Sequence, residues 1–373
     1  MMIACRWCIR PCTVVLDLGE QPAADHFPLP TDPLPDPVYP LRMALCPGCG
    51  LAQLAEDATV PDEPRGIEPA ALRAQAEHAV TAVALSGCLP PNGTVREFGS
   101  PHGGSWEVPL RSCGLEPITG AADVVVDVFG MMHEADQRAG MAERVGAVRP
   151  GGVLLMQFHS LAAIVAQGSW NALRHGHFAY YSVPALLGMA GELGWVAVAA
   201  WEFDLYGGTV LLAFRRDGAQ TPEVTALAER ERAAGVVDAA WVATLGAVAS
   251  STALREFLEH ERAEGRAVLG YGAASRSVAL LQRARVGPEL LAAVADASAP
   301  KQGRTLPGSR VPVISPGALV EAAPDRVVLF VGDLLAEVRR TIPEVEARGG
   351  AWVVLEPELR VVPSDAAQGN RSR

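Results

Sequence analysis

The chain has 373 residues, 49% of them hydrophobic, and a formal net charge of −11. That acidic balance excludes nucleic acid as a partner, which selects basic surfaces, and no apolar run of about 18 residues is present to span a membrane. The length predicts two or three domains with ample core, and the 37 Gly and 29 Pro suit α/β layers joined by many turns.

The opening MMIACRWCIRPC lacks the apolar core of a signal peptide, so a cytoplasmic location is expected. Seven cysteines then read as reduced thiols and metal ligands rather than disulfides. Residues 1–65 are expected to form a zinc-binding module. Cys5-x-x-Cys8 and Cys46-x-x-Cys49 are two thiolate knuckles, and a C-x-x-C turn presents two soft ligands at the bite that tetrahedral zinc requires. The 37 residues between the knuckles require a Pro-rich excursion, Phe27–Pro40, to loop out. Four thiolates leave no open coordination position, so the zinc is expected to be structural. Cys12 is read as a bystander.

Residues 66–218 are expected to form a truncated Rossmann-like core. Pro69–Leu85 reads as an alanine-rich helix. Thr94–Gly104, TVREFGSPHGG, reads as an apolar strand running into a glycine loop at which a backbone can approach a cofactor closely. The next buried strand, Ala122–Phe129, arrives early. A βαβ unit takes about 30 residues, so Gly103–Ala121 accommodates one crossover where a complete doubly wound half needs two. Arg149-Pro150-Gly151-Gly152 is a turn into a further strand.

Residues 219–363 are expected to form a second Rossmann-like domain, with 364–373 a disordered tail. Thr221-Pro222 reads as a helix start, a capping hydroxyl followed by proline at the first helical position. Arg266–Tyr271 gives a strand ending in GYGAASRS, a second junction of glycine loop and helix, whose free N–H groups suit a phosphate. Strands are expected at Leu291–Asp296, Arg326–Val331 and Ala351–Leu355. Lys301 is the only lysine in the chain. Where arginine otherwise serves everywhere, a surviving lysine points to a site needing a compact ammonium, and with Arg276 and Arg304 it is expected to hold a nucleotide diphosphate.

Cys5-x-x-Cys8, then VLDLGEQPAADHF and YPLRMALCPGCGLAQL, resembles the zinc-binding entry domain of the sugar C-methyltransferases. Asp296 through PKQGRTLPGSRVPV resembles that family's C-terminal signature. The resemblance runs over about residues 5–360 and implies a zinc module, a Rossmann core that uses S-adenosylmethionine, and a Rossmann-like cap. The implied substrate is a dTDP-linked keto-deoxysugar of an antibiotic or deoxysugar pathway. In the family pattern Gly99, Ser100 and Gly103 match the cofactor loop, and Glu116, in Gly114-Leu115-Glu116-Pro117, matches an acid that bonds the adenosine ribose. Glu116 as a plain loop acid stays open.

The resemblance assigns His133, His177 and Tyr180 to the catalytic set, but Arg174 and Gly176 stand where the family carries Tyr and Glu. His177 in its neutral form can take a proton alpha to a ketone. Tyr206, Gly208 and Tyr271 match positions near the sugar. Three functions follow as alternatives: methyl transfer to carbon, proton chemistry (isomerisation, epimerisation or elimination) with the methyl donor lost, and a non-catalytic partner of a pathway enzyme. The second is preferred, because the adenine side of the cofactor site is shortened.

Overall fold

The computed structural model describes residues 3–59, 68–99, 104–355 and 358–363. Ser100 and Gly103, and the 364–373 tail, lie outside the described residues. Three sheets organise the rest, in a mixed α/β architecture.

The first sheet has five strands in the order Ile3–Ala4, Pro11–Pro22, Val38–Leu45, Ala52–Leu54 and Ala179–Tyr180. Its pairs are antiparallel, and the last strand comes from far down the chain, with Ala52 opposite Tyr180 and Gln53 opposite Ala179. Leu16, Leu18, Leu41 and Met43 turn inward and pack on Val242, Leu245 and Ala249. Those three side chains lie on the short helices Ala239–Ala243 and Leu245–Ala249. Trp7, Cys5, Cys46 and Leu51 are buried in one cluster with Met131, Leu154 and Leu186. The cysteine module therefore shares a core with the second sheet.

That second, central sheet has six strands, in the order Val196–Phe203, Thr209–Arg215, Val148–His159, Ala122–Val128, Gly93–Phe98 and Leu115–Pro117. The four from Val148–His159 to Leu115–Pro117 run parallel, and the other two are antiparallel additions. Val124, Val125 and Val126 are fully buried in succession, as a strand covered on both faces requires. Helix Ala70–Leu85, led in by Pro69, lays Ala76, Ala79, Val80 and Val83 on this sheet.

The topology bears directly on the shortened crossover. Helix Glu107–Ser112 joins Gly93–Phe98 to its neighbour Leu115–Pro117. Residues 118–121 alone then carry the chain to Ala122–Val128 on the other side of Gly93–Phe98. No strand or helix intervenes there, and Leu115–Pro117, three residues long, is the edge of the sheet.

The third sheet has the order Val313–Ile314, Val294–Ala295, Val268–Tyr271, Arg326–Leu329, Ala351–Val354 and Arg360–Val361, parallel except for the last strand. Its strands at Val294–Ala295 and Arg326–Leu329 are shorter than the sequence predicts. Helix Pro222–Ala234, capped by the Thr221 hydroxyl, packs Val224, Leu227 and Ala228 into the central core rather than onto this sheet. Ala24 and Phe27, at the entry to the Pro-rich excursion, are buried among Leu254, Leu258, Val278 and Leu306 of the third sheet's core. Among the described residues, no single helix is long and apolar enough to cross a membrane.

Candidate functional site

The two knuckles meet. The sulfurs of Cys5, Cys8, Cys46 and Cys49 all lie within 4.8 Å of one another. Cys5 and Cys49 are 3.5 Å apart, Cys8 and Cys46 3.5 Å, and Cys8 and Cys49 3.7 Å. Zn–S bonds of about 2.3 Å in a tetrahedron place sulfurs about 3.8 Å apart, so the cluster fits zinc. The Cys49 thiol holds Cys5 down to about 4, which favours a thiolate already in place for a cation. Cys12 stands aside, its thiol against the Arg10 carbonyl at 3.8 Å. The four ligands close the coordination shell and leave no position for substrate.

The second cluster is a pair of imidazoles. His133 ends a 3-10 turn, Met131–His133, just past the carboxyl end of strand Ala122–Val128. His177 lies on the loop before Ala179–Tyr180. Their rings meet edge to face, with centroids 4.7 Å apart. His133 Nδ1 is 2.9 Å from the Gly176 carbonyl. A carbonyl can only accept, so in the neutral ring Nδ1 carries the hydrogen and Nε2 the lone pair.

The turn under His133 is fastened from several sides. Asp127 Oδ1 accepts the Gly130 and Met131 N–H groups, each at 2.9 Å, and Oδ2 accepts Arg144 Nε at 2.9 Å. Burial pushes the Asp127 carboxyl up and Arg144 draws it down. Three donors converge on its two oxygens and leave no acceptor for a carboxyl proton, so the pair is ionised. Gln137 Nε2 donates to the Met131 carbonyl at 3.0 Å, and Tyr181 donates to Gln137 Oε1.

Gly176 has φ +79, and a Cβ there would meet nothing within 4 Å. Space for a larger side chain exists, but the left-handed backbone disfavours one. Arg174 donates to Ser275 Oγ and lies 4.0 Å from Asp25. Tyr180 is buried, and its hydroxyl accepts the Arg174 N–H at 3.1 Å. Its ring stands 6.3 Å from that of His177. His175 is buried with Nε2 3.1 Å from the Pro40 carbonyl.

A cleft of about 430 Å³ opens at the carboxyl ends of the first two central strands, lined by Glu97, Gly99, Gly104, Ser105, Pro117 and Ile118 among others. Both oxygens of Glu97 serve the loop itself, accepting Ser105 Oγ at 2.6 Å and the Trp106 N–H at 2.8 Å. Burial raises the Glu97 carboxyl. Glu116 is exposed and does not line the cleft.

A third group gathers where the central and third sheets face each other. Phe129 and Tyr206 both hold left-handed backbone, φ 58 and 55, and their rings meet at 5.9 Å. Such conformations cost about 1–3 kcal/mol each and concentrate at functional sites. Arg276 lies over the Tyr206 ring at 5.7 Å. His159 ends its strand here, its imidazole lowered to about 3 by burial and by the Arg276 charge. Asp333 faces Arg276 from the far side, raised by burial. At Gly208 the loop passes close to its neighbour: a Cβ there would lie 2.6 Å from Ala163 Cβ. Tyr271 packs edge-on against Trp352 at 6.1 Å.

Lys301 and Arg304 are placed elsewhere. Lys301 is buried, donates to the Ala273 carbonyl at 3.0 Å and sits over the Phe27 ring at 5.0 Å. Arg304 donates to the Phe27 carbonyl at 2.8 Å, and the Thr305 N–H to Pro28 O at 2.9 Å. The segment 301–305 thus grips the Pro-rich excursion of the cysteine module. Glu97, His159, Asp333 and Asp57, which bonds Gly176 N, were not singled out from sequence. Glu97 carried a signal, an acid two residues before Gly99 at the strand end.

Comparison with known proteins adds the following. Residues 204–357 match the family model described as C-methyltransferase C-terminal domain, and residues 5–62 match a family model of a zinc binding domain. A C-methyltransferase, NovU, of Streptomyces niveus is 27% identical over 222 residues, 58% of this chain and 53% of that protein. The chain thus matches about half the length of that relative. Among solved structures, the magnesium protoporphyrin IX methyltransferase of Synechocystis PCC 6803 aligns at 15% identity, covering 38% of this chain and 83% of that one, with TM-score 0.30. The 1,6-didemethyltoxoflavin-N1-methyltransferase of Burkholderia thailandensis aligns at 13% identity, covering 45% and 96%, with TM-score 0.30.

Proposed function

We propose, for a chain that belongs to the C-methyltransferase family, proton chemistry on a keto-sugar-like small molecule, without productive use of S-adenosylmethionine. The observation that carries this reading is a contrast. The paired imidazoles of His133 and His177 are in place, rings 4.7 Å apart. Among the described residues, 118–121 alone stand where a further helix and strand would wall the cleft for the methyl donor, and we read that wall as missing. Glu116 does not line that cleft, and Glu97 is occupied by its own loop. In our reading these residues do not make a complete adenosyl site.

The chemistry calls for a neutral imidazole at His177. His177 takes the proton from the carbon alpha to the ketone, the C–H pair becomes the enolate C=C bond as the carbonyl π pair moves onto oxygen, and on collapse of the enolate the proton returns to carbon. His133, with Nδ1 tied to Gly176 O, stands beside it with its ring against that of His177. Tyr180 shapes the wall behind His177. We read Tyr206, Gly208, Tyr271 and Arg276 as the substrate side, between the central and third sheets, where open α/β sheets take ligands, with Arg276, over the Tyr206 ring, meeting the diphosphate of a nucleotide-linked sugar. Lys301 and Arg304 hold the chain at Phe27.

A second reading, methyl transfer to carbon, is favoured by the 430 Å³ cleft at the expected strand ends. The two separate by isotope exchange. With a dTDP-linked keto-deoxysugar in D₂O, the protein washes deuterium into the carbon alpha to the ketone without added donor. His177→Ala loses roughly 10²-fold or more of that rate. Exchange no faster than in buffer, or unchanged in the variant, would overturn the proposal.

A further inference from the structure

The knuckle residue between the first two cysteines reaches both imidazole loops. The Arg6 N–H donates to Gln53 Oε1 at 2.8 Å and Nε donates to the Leu54 carbonyl at 3.3 Å. One end of its guanidinium donates to the Ala135 carbonyl at 3.0 Å, two residues past His133. Its plane lies over the Phe178 ring, 4.7 Å from the centroid, one residue past His177. A planar guanidinium can stack on the ring while its fork donates to two separate carbonyls, a geometry the compact ammonium does not share.

The neighbouring contacts run the same way. Asp57 Oδ2 accepts the Gly176 N–H at 2.6 Å, the Leu54 N–H donates to Phe178 O at 3.2 Å, and the Phe178 N–H donates to Met132 O at 2.7 Å. The short strand that follows His177 is itself a member of the cysteine module's sheet. The loops of His133 and His177 bond each other directly, and one side chain that the metal knuckle fixes at its root spans both.

We infer that Arg6 is a positioning residue that sets the His133–His177 pair, so that the zinc module is part of the apparatus around the reacting groups and not only a fold stabiliser. This rests on the reading of the two histidines as the reacting pair, but its test needs no substrate. The metal-loaded full chain is examined by long-range ¹H–¹⁵N imidazole NMR, with zinc content and the cobalt-substituted thiolate spectrum as controls on the knuckles. In the parent chain His133 shows the Nδ1–H tautomer and a ring-to-ring NOE to His177.

Arg6→Ala keeps the metal and loses both signals. Arg6→Lys, which retains charge but not the fork, fails to restore them. Should Arg6→Ala not fold, Arg6→Gln carries the test with the same expectation. Retention of the tautomer and the NOE in a metal-loaded Arg6 variant would overturn the inference. Failure of deuterium exchange in the parent chain would instead strike the proposed reaction and leave these signals untouched.

Discussion

Removing Arg144 tests the support beneath His133. Arg144 and Asp127 are 3% and 1% exposed, with Nε 2.9 Å from Oδ2. Arg144→Met fills much of the same space but leaves the Asp127 carboxylate buried without its counter-ion. Breaking a buried pair from one side costs about 3–5 kcal/mol. The Gly130 and Met131 N–H groups remain bonded to Oδ1, which places the expected loss near about 3 kcal/mol. The bare carboxyl's pKa in the folded variant then lies above its unfolded value. The folded variant binds more protons than the unfolded chain between the two, so its deficit grows as pH rises through that window and shrinks toward acid. Urea unfolding of the parent and the variant from pH 5 to pH 8, followed by tryptophan fluorescence, reads both effects. A loss under about 1 kcal/mol, or one independent of pH, would refute the assignment of an ionised buried pair.

Three other outcomes follow from the geometry. His159 has a folded-state imidazole lowered from 6.5 to about 3, so the unfolded chain binds the extra proton between those values. Stability from this site is full above the unfolded value and is lost as pH falls toward the folded one; His159→Gln flattens that part of the acid limb, and an unaltered limb in urea melts would contradict it. Lys301→Met loses the bond to Ala273 O and the contact with Phe27, a cost of about 1–2 kcal/mol, and speeds amide exchange at Thr305; exchange at the parent rate would show that the ammonium does not grip that loop. Cys46→Ser drops zinc content from one equivalent and, because Cys46 shares a core with Met131 and Leu186, lowers the melting temperature of the whole chain; a full zinc complement measured by atomic emission would contradict a four-thiolate site.

Much of this was legible in the residues themselves. Paired C-x-x-C spacing states its chemistry locally, and the four sulfurs converge as that spacing requires. The shortened crossover could be counted, since Gly103–Ala121 holds too few residues for two, and the central sheet ends at Leu115–Pro117 accordingly. Thr221 and Pro222 start their helix as capping chemistry dictates.

What escaped is non-local. The two residues Ala179–Tyr180 carry no periodicity, yet they complete the sheet of the cysteine module 125 or more positions upstream. Nothing local to Lys301 announces Phe27 as its partner across the fold. His159 reads as one apolar strand's last residue, and only the approach of Arg276 from the third sheet gives it a distinct environment. Arg6 looks like knuckle filler until the loops around His133 and His177 are brought beside it.

The central claim is that the methyl-donor site is incomplete, and direct titration examines it. Isothermal calorimetry of S-adenosylmethionine into the zinc-loaded chain, with and without a dTDP-linked keto-deoxysugar, is expected to give no saturable heat up to millimolar donor. A saturating isotherm with micromolar affinity would contradict the account and restore methyl transfer as the reaction.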